Sequence, residues 1–230
     1  MTWRAHYVII CAVKASVTDG KAQAGGTDRE GAEAYDMSTV WAILPLTGRI
    51  ALICFLHRFL WRKEEKMKKV AVIMGSDSDL SIVEKGIAVL ADYGIPHEVH
   101  VYSAHRTPLE CAEFVKGARA AGFGVIIAAA GMAAHLAGAV AANTTLPVIG
   151  IPISSKNIGG MDALLSTVQM PSGIPVATVA IDGAANAAHL AAEILALSDE
   201  ALAEKIEKAR KASYEKVLEK NRAIEDRFNA

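Results

Sequence analysis

The chain has 230 residues, 52% of them hydrophobic and 21% charged, with a formal net charge of −1. It is long enough to bury a substantial globular core. From residue 67 onward, 15 Lys and Arg stand against 18 Asp and Glu, so no basic face is available to neutralise phosphates and nucleic acid is excluded as the main partner. The three cysteines, Cys11, Cys54 and Cys111, are odd in number and widely spaced. They fit neither a disulfide framework nor a zinc site and suit a reducing, cytoplasmic compartment.

Residues 1–66 differ from the rest. Two apolar runs, 7–13 and 40–61, flank a Gly-containing charged stretch, and the second run is interrupted by Pro45, Arg49, His57 and Arg58. A membrane span needs about twenty mostly apolar residues without central charge, so no membrane partner is expected. Residues 1–15 have a short apolar core, but nothing downstream suggests secretion. The expectation is a leader outside the fold, poorly ordered or translated from an upstream start. A single domain at 67–230 follows, because Met67-Lys68-Lys69 leads at once into a strand.

Residues 69–74 (KVAVIM) form a β-branched run closed by Gly75, the pattern of a buried parallel strand. Residues 79–93 carry apolar residues at helical spacing and stop at Gly94. A second strand is predicted at 98–103 and a helix at 108–121, opened by Thr107-Pro108-Leu109-Glu110. That tetrapeptide fits a capping box: Thr107 caps, Pro108 takes the first helical position and Glu110 reaches back. Strands at 124–129, 147–151 and 176–181 then alternate with helices at 132–142, 160–169 and 184–197. This alternation implies right-handed βαβ crossovers and a five-stranded parallel sheet covered on both faces, a flavodoxin-like three-layer α/β/α sandwich. An extra C-terminal helix spans 199–228, with Glu204/Lys208 and Glu207/Lys211 at i,i+4 spacing. Its apolar stripe (Leu202, Ile206, Ala209, Val217, Leu218) suits packing on the parent domain or, preferably, on a neighbouring subunit.

In an open α/β sheet, ligands bind beyond the carboxyl ends of the strands. The first strand ends in Gly75-Ser76-Asp77-Ser78-Asp79, where a glycine, hydroxyls and a helix start favour an anion. For a serine alone, capping the helix is the commoner role. The second ends in Ser103-Ala104-His105-Arg106-Thr107-Pro108, a titratable imidazole beside a permanent cation. The third runs through small residues into Gly131-Met132-Ala133-Ala134-His135-Leu136, a floor on which a ligand can lie flat, with His135 in the first turn of the next helix. The fourth runs into Ile153-Ser154-Ser155-Lys156-Asn157. The stretch 169–175, with two prolines and a glycine, lies at the opposite edge of the sheet. It is structural unless it reaches a neighbour's site. No Walker loop or three-glycine dinucleotide fingerprint is present. A metal site would want clustered His and carboxylates, whereas His105 is followed by Arg106, so no metal is expected.

With these residues assembled, the chain resembles the N5-carboxyaminoimidazole ribonucleotide mutase family of de novo purine synthesis. The motifs that carry the resemblance are MGSDSD (74–79), SAHRTP (103–108), GMAAHLAG (131–138), LPVIGIP (146–152) and VQMPSGIPVATVAI (168–181). The resemblance implies an isomerase that moves a carboxyl group from the exocyclic nitrogen to ring carbon C4 through decarboxylation, trapped CO2 and recarboxylation. It implies a homo-octamer without cofactor. By position, His105 and His135 match catalytic histidines, and Ser76, Asp79 and Arg106 match ribonucleotide-binding residues. Ser78, Ser103, Gly131, Ala133 and Leu136 are expected to contact the substrate as well. A sister branch carboxylates aminoimidazole ribonucleotide with free CO2, but His105-Arg106 and the Ala-Ala-His-Leu run resemble the mutase branch. A non-catalytic nucleotide-binding module on the same fold is the other alternative. The chain departs from the mutase pattern twice, with Met132 in place of a usual glycine and Ala137 in place of a usual proline.

Overall fold

The computed structural model describes residues 67–156 and 158–229; the expectation about 1–66 lies outside them. Five strands form one all-parallel sheet in the order β2-β1-β3-β4-β5. They are β1 (Lys69–Met74), β2 (His97–Val101), β3 (Phe123–Gly131), β4 (Val148–Ile153) and β5 (Ala177–Thr178). The helices are α1 (Leu80–Tyr93), α2 (Pro108–Ala118), α3 (Leu136–Ala141), α4 (Met161–Val168), α5 (Ala184–Ala196) and α6 (Glu200–Phe228). A single 3-10 turn, Asp77–Asp79, precedes α1. The predicted order and type of element are all present, and with them the flavodoxin-like three-layer sandwich.

Alternation along the central strands builds two cores. Val70, Val72 and Met74 of β1, with Val125, Ile127 and Ala129 of β3, face α1 and α5. Ala71 and Ile73, with Ile126 and Ala128, face α2 and α3. Each residue of β1 from Val70 onward is at most 2% exposed, as a strand covered on both faces requires. Cys111 is a free thiol buried in the second core, and burial pushes its pKa up.

Three local expectations need correction. The helix expected at 132–142 begins only at Leu136. Strand β3 runs on to Gly131 and Met132 then takes φ 55°, a left-handed conformation that a helix cannot include. His135 therefore stands at the N-cap of α3 rather than inside its first turn. The fifth strand, expected at 176–181, is reduced to Ala177–Thr178. Beyond it the chain still bonds β4, through Val179 N to Gly150 O (3.1 Å) and Asp182 N to Pro152 O (2.9 Å), but outside a regular ladder. Asp182, at φ 57°, turns the backbone out of strand geometry.

The apolar stripe of α6 divides. Leu202 and Ile206 are buried in the first core, so the helix starts on its own domain. Lys205 Nζ donates to Tyr93 O (2.9 Å) and Arg210 pairs with Glu193, tying it to α1 and α5. Among the described residues neither Glu204/Lys208 nor Glu207/Lys211 closes to an ion pair. Farther along, Tyr214, Val217, Ile224 and Phe228 are exposed. Among the described residues no helix is long and apolar enough to cross a membrane.

Helices α1 and α5 approach closely because Gly86 has no side chain. A Cβ there would lie 2.6 Å from Ala184 O, a backbone atom that cannot swing away. Gly86→Ala is expected to destabilise the domain by about 1–3 kcal/mol through overpacking, although alanine is the better helix former. Thermal unfolding at neutral pH measures this; an unchanged or raised Tm would show that the two helices can separate freely.

Candidate active site

The register of the sheet brings four strand ends to one edge. Met74 pairs with Val101 on one side and Ala129 on the other, and Gly131 pairs with Ile153. The turns that follow these residues enclose a cleft of about 660 Å³. Ser76, Ser78 and Asp79 line it from β1, and Ser103, His105 and Arg106 from β2. Gly131, Ala133, His135 and Leu136 line it from β3. Every residue singled out in the sequence as a site candidate thus borders the same space.

The β1 turn is organised by its own hydroxyls. Ser76 caps the 3-10 turn, its Oγ accepting from Ser78 N at 3.3 Å. The Ser78 hydroxyl lies 2.9 Å from Ser76 Oγ and 3.2 Å from Asp79 Oδ1. Asp79 is only 8% exposed, and burial raises its carboxyl pKa above the ordinary value despite the Ser78 hydroxyl. Capping and ligand donation are compatible here, since the Ser76 oxygen serves the backbone while the turn still opens on the cleft.

The β2 turn closes differently from the capping-box expectation. Thr107 occupies the N-cap and Pro108 the first helical position, but Thr107 makes no cap bond. Its Oγ1 turns back, accepting from Ser103 N (2.9 Å) and donating to Ser103 O (3.2 Å). The hydroxyl thus satisfies the strand-end N–H, and Glu110 has no cap partner to answer. Ser103 Oγ in turn accepts from Arg106 N (3.2 Å), fixing the direction of residues 105 and 106. Arg106 Nη2 donates to Gly75 O (3.2 Å), so its guanidinium bridges the β2 and β1 turns. It makes no ion pair among the described residues, leaving its charge for a ligand.

At the floor, His105 Nε2 lies 2.8 Å from His135 Nδ1, with the two rings nearly perpendicular at 79°. One nitrogen must donate and the other accept, so the contact holds a single shared proton. Two imidazolium rings would present donor to donor and break it. Behind the pair the floor needs glycine at 131, where a Cβ would press within 3.3 Å of Ile153 O. Met132, next in the chain, is 64% exposed at the cleft.

The sequence placed the β4 end at the same edge but gave its residues no role. Ile153, Ser154, Ser155 and Lys156 also line the cleft. Their Ser-Ser-Lys composition was visible; that it abuts the β3 turn depends on the Gly131–Ile153 pairing. The 169–175 loop stays structural within this chain: Met170 Sδ sits where a Cβ on Gly138 of α3 would come within 3.3 Å.

Residues 69–216 match the family model described as AIR carboxylase. A curated relative from Pyrococcus horikoshii, named N5-carboxyaminoimidazole ribonucleotide mutase, is 52% identical over 157 residues, covering 68% of this chain and 89% of that protein. Relatives of the same name from Methanocaldococcus jannaschii and Thermotoga maritima are 51% and 47% identical over 159 residues each. These cover 69% of this chain and 99% and 93% of theirs. The crystal structure of Treponema denticola PurE is similar at 30% identity with a TM-score of 0.62, covering 70% of this chain and 98% of that one.

Two site residues should cost stability. Asp79 has a folded-state pKa above its unfolded value, so its contribution is most favourable below the unfolded pKa and is lost as pH rises through the folded one. Asp79→Asn is therefore expected to raise Tm at pH 7, with the gain shrinking toward pH 4; thermal melts across that range check it. Met132 sits in a conformation costing about 1–2 kcal/mol for a side-chain-bearing residue. Met132→Gly should recover part of this, net of about 0.4–1 kcal/mol lost to unfolded-chain entropy. A Tm increase of about 1–3 °C is the expected reading, and a decrease would show the residue unstrained.

Proposed function

The chain belongs to the AIR carboxylase family, and within it we infer that the protein catalyses the N5-carboxyaminoimidazole ribonucleotide mutase reaction. It is an isomerase of purine biosynthesis, moving the substrate's carboxyl group from the exocyclic nitrogen to ring carbon C4. Support comes from relatives of that name at about half identity along the whole domain. The observation that carries the mechanism is the 2.8 Å contact between His105 and His135, set in a cleft that also presents Arg106, Ser76 and Ser78.

The substrate's N-carboxylate is a carbamate, which breaks down once its nitrogen is protonated. In our reading the pair starts singly protonated, with three N–H protons on two rings, and the extra proton passes to that nitrogen through His105 while each ring keeps one of its own. The C–N bond then breaks, giving CO2 and aminoimidazole ribonucleotide. Ring carbon C4, electron-rich like an enamine, attacks the retained CO2 and becomes tetrahedral, carrying both its hydrogen and the new carboxylate. The now neutral pair removes that hydrogen as a proton, restoring aromaticity and its own starting state. One proton leaves the enzyme and one returns, as an isomerisation requires. Imidazole suits the role because the same group must act as acid and then as base near neutral pH. His135 holds and orients the His105 ring and accepts part of its charge.

Ser76, Ser78 and Arg106 form the anion-binding end, where the phosphate of the ribonucleotide meets hydroxyls, backbone N–H groups and a guanidinium. Asp79 is positioned to accept from a ribose hydroxyl. Ser103 acts by holding Arg106. Gly131, Ala133 and Leu136 provide the surface on which the imidazole ring lies. The exposed apolar residues of α6 support assembly with further copies, which we read as the octamer implied by the resemblance.

Incubating the protein with N5-carboxyaminoimidazole ribonucleotide, without ATP or added bicarbonate, should yield the C-carboxylated isomer. Failure to form it, with carboxylation of aminoimidazole ribonucleotide at high bicarbonate instead, would move the chain to the sister activity. His105→Asn should lower kcat at least about 10²–10⁴-fold, the usual contribution of a positioned acid–base group, with Tm nearly unchanged. Near-normal turnover in that variant would remove His105 from the mechanism.

A further inference from the structure

We propose that Ser155 and Lys156, in the turn after β4, form a second anion subsite that holds the carboxyl end of the substrate, across the cleft from Arg106. The proposal rests on the mutase reading, because that substrate carries two anionic groups, a phosphate and a carboxylate, at opposite ends of a small molecule. Among the described residues lining the cleft, the permanent cations are Arg106 and Lys156, and the one carboxylate is Asp79. Arg106 is committed to one end: its Nη2 rests on Gly75 O and its backbone N–H on Ser103 Oγ, beside Ser76 and Ser78. A single guanidinium there cannot also neutralise a group at the far side.

The sheet order β2-β1-β3-β4 separates the Arg106 turn from the Lys156 turn by three strand spacings, about 14 Å. The His105–His135 contact and the β3 turn lie between them. A carboxylate held from the β4 side therefore sits toward the proton-holding pair, where the chemistry needs it.

Two features of the β4 turn point to a ligand. Ser155 Oγ is out of contact with solvent and has no hydrogen-bond partner, so its hydroxyl is free to rotate toward the cleft and meet a ligand there. Lys156 is exposed and makes no ion pair among the described residues. The turn is anchored rather than loose, because Ser154 N donates to Asp182 Oδ1 at 2.8 Å. A lysine also suits the reaction better than an arginine fork would. Its ammonium is a point charge on a flexible stem, and it can follow a carboxyl group as it moves from nitrogen to carbon.

Titration calorimetry with two ligands tests this independently of turnover: 4-carboxy-5-aminoimidazole ribonucleotide, and the same ribonucleotide without its carboxyl group. Lys156→Met should bind the carboxylated ligand about tenfold more weakly than the wild type and the uncarboxylated ligand equally well. Lys156→Arg should restore most of the loss, and Ser155→Ala should show a smaller loss of the same selectivity. If Lys156→Met binds both ligands like the wild type, or loses both to the same degree, the proposal is overturned while the mutase reading stands. An unchanged Ser155→Ala removes the serine from the subsite. A wild-type protein that binds neither ligand overturns the mutase reading and the proposal together.

Discussion

The double pairing of β1 is the constraint on which the rest depends. Its last residue, Met74, is in register with both Val101 and Ala129. Strand β2 therefore ends beside Met74 and β3 two residues beyond it, though the two strands are joined to β1 by separate crossovers. His105 and His135, 30 residues apart in the chain, meet at 2.8 Å because each follows its strand end by only a few residues. A slip of one residue in either ladder would invert the faces of that strand and move its turn by about 3.3 Å, far beyond what a hydrogen bond tolerates. The burial of Val70–Met74 on both faces is what forbids the slip. Core packing and the geometry of the His105–His135 pair are here the same requirement.

Around this rigid centre the site carries local costs. Asp79 is a carboxyl buried against its own preference for water, with Ser78 as its side-chain donor. Met132 holds a left-handed φ that a glycine would adopt without strain. Ser155 keeps a hydroxyl without a partner. All three border the cleft, and none lies in either hydrophobic core. Departures of the same kinds also occur away from the cleft, at Asp182, Asp162 and Thr178, but those at the cleft stand where a ligand can offset them. The strain at Met132 has a further effect, since the turn it forces delays α3 and leaves His135 at the helix edge, free to face His105.

What was legible in the sequence followed from short-range chemistry. The run at 69–74, the Gly94 stop and the proline opening α2 each act within a few residues, so their elements fall where pattern puts them. Strand-end motifs were legible for the same reason, because parallel α/β topology sends every strand's carboxyl end to one edge. What escaped depends on distant partners. The shortness of β5 comes from the backbone after Thr178, which still bonds β4 but leaves the regular ladder and turns out of strand geometry at Asp182. The Thr107 hydroxyl serves Ser103 rather than its own helix because the turn needs that bond, and both uses look alike in sequence. The division of α6, with Leu202 and Ile206 buried and Val217 exposed, reflects where the parent domain ends and not any change in helical pattern.

Charge distribution gives the cleft its polarity. On the proposed mechanism, the substrate must be held at both ends firmly enough to outlast the moment when its carboxyl group is free CO2, which carries no charge for any cation to grip. During that interval only the phosphate end remains fixed by electrostatics, and the Arg106 bridge across two turns is the stiffer of the two cationic elements for that task. Ala130 and Gly131 line the cleft as a small-residue floor, the surface on which the proposed ring and its CO2 would be held together. A flexible ammonium on the other side adds little at that moment and most before and after it, when the carboxylate exists. In that proposal a stiff cation, Arg106, serves the group that never changes and a mobile one, Lys156, the group that does, each from its own end of the sheet edge.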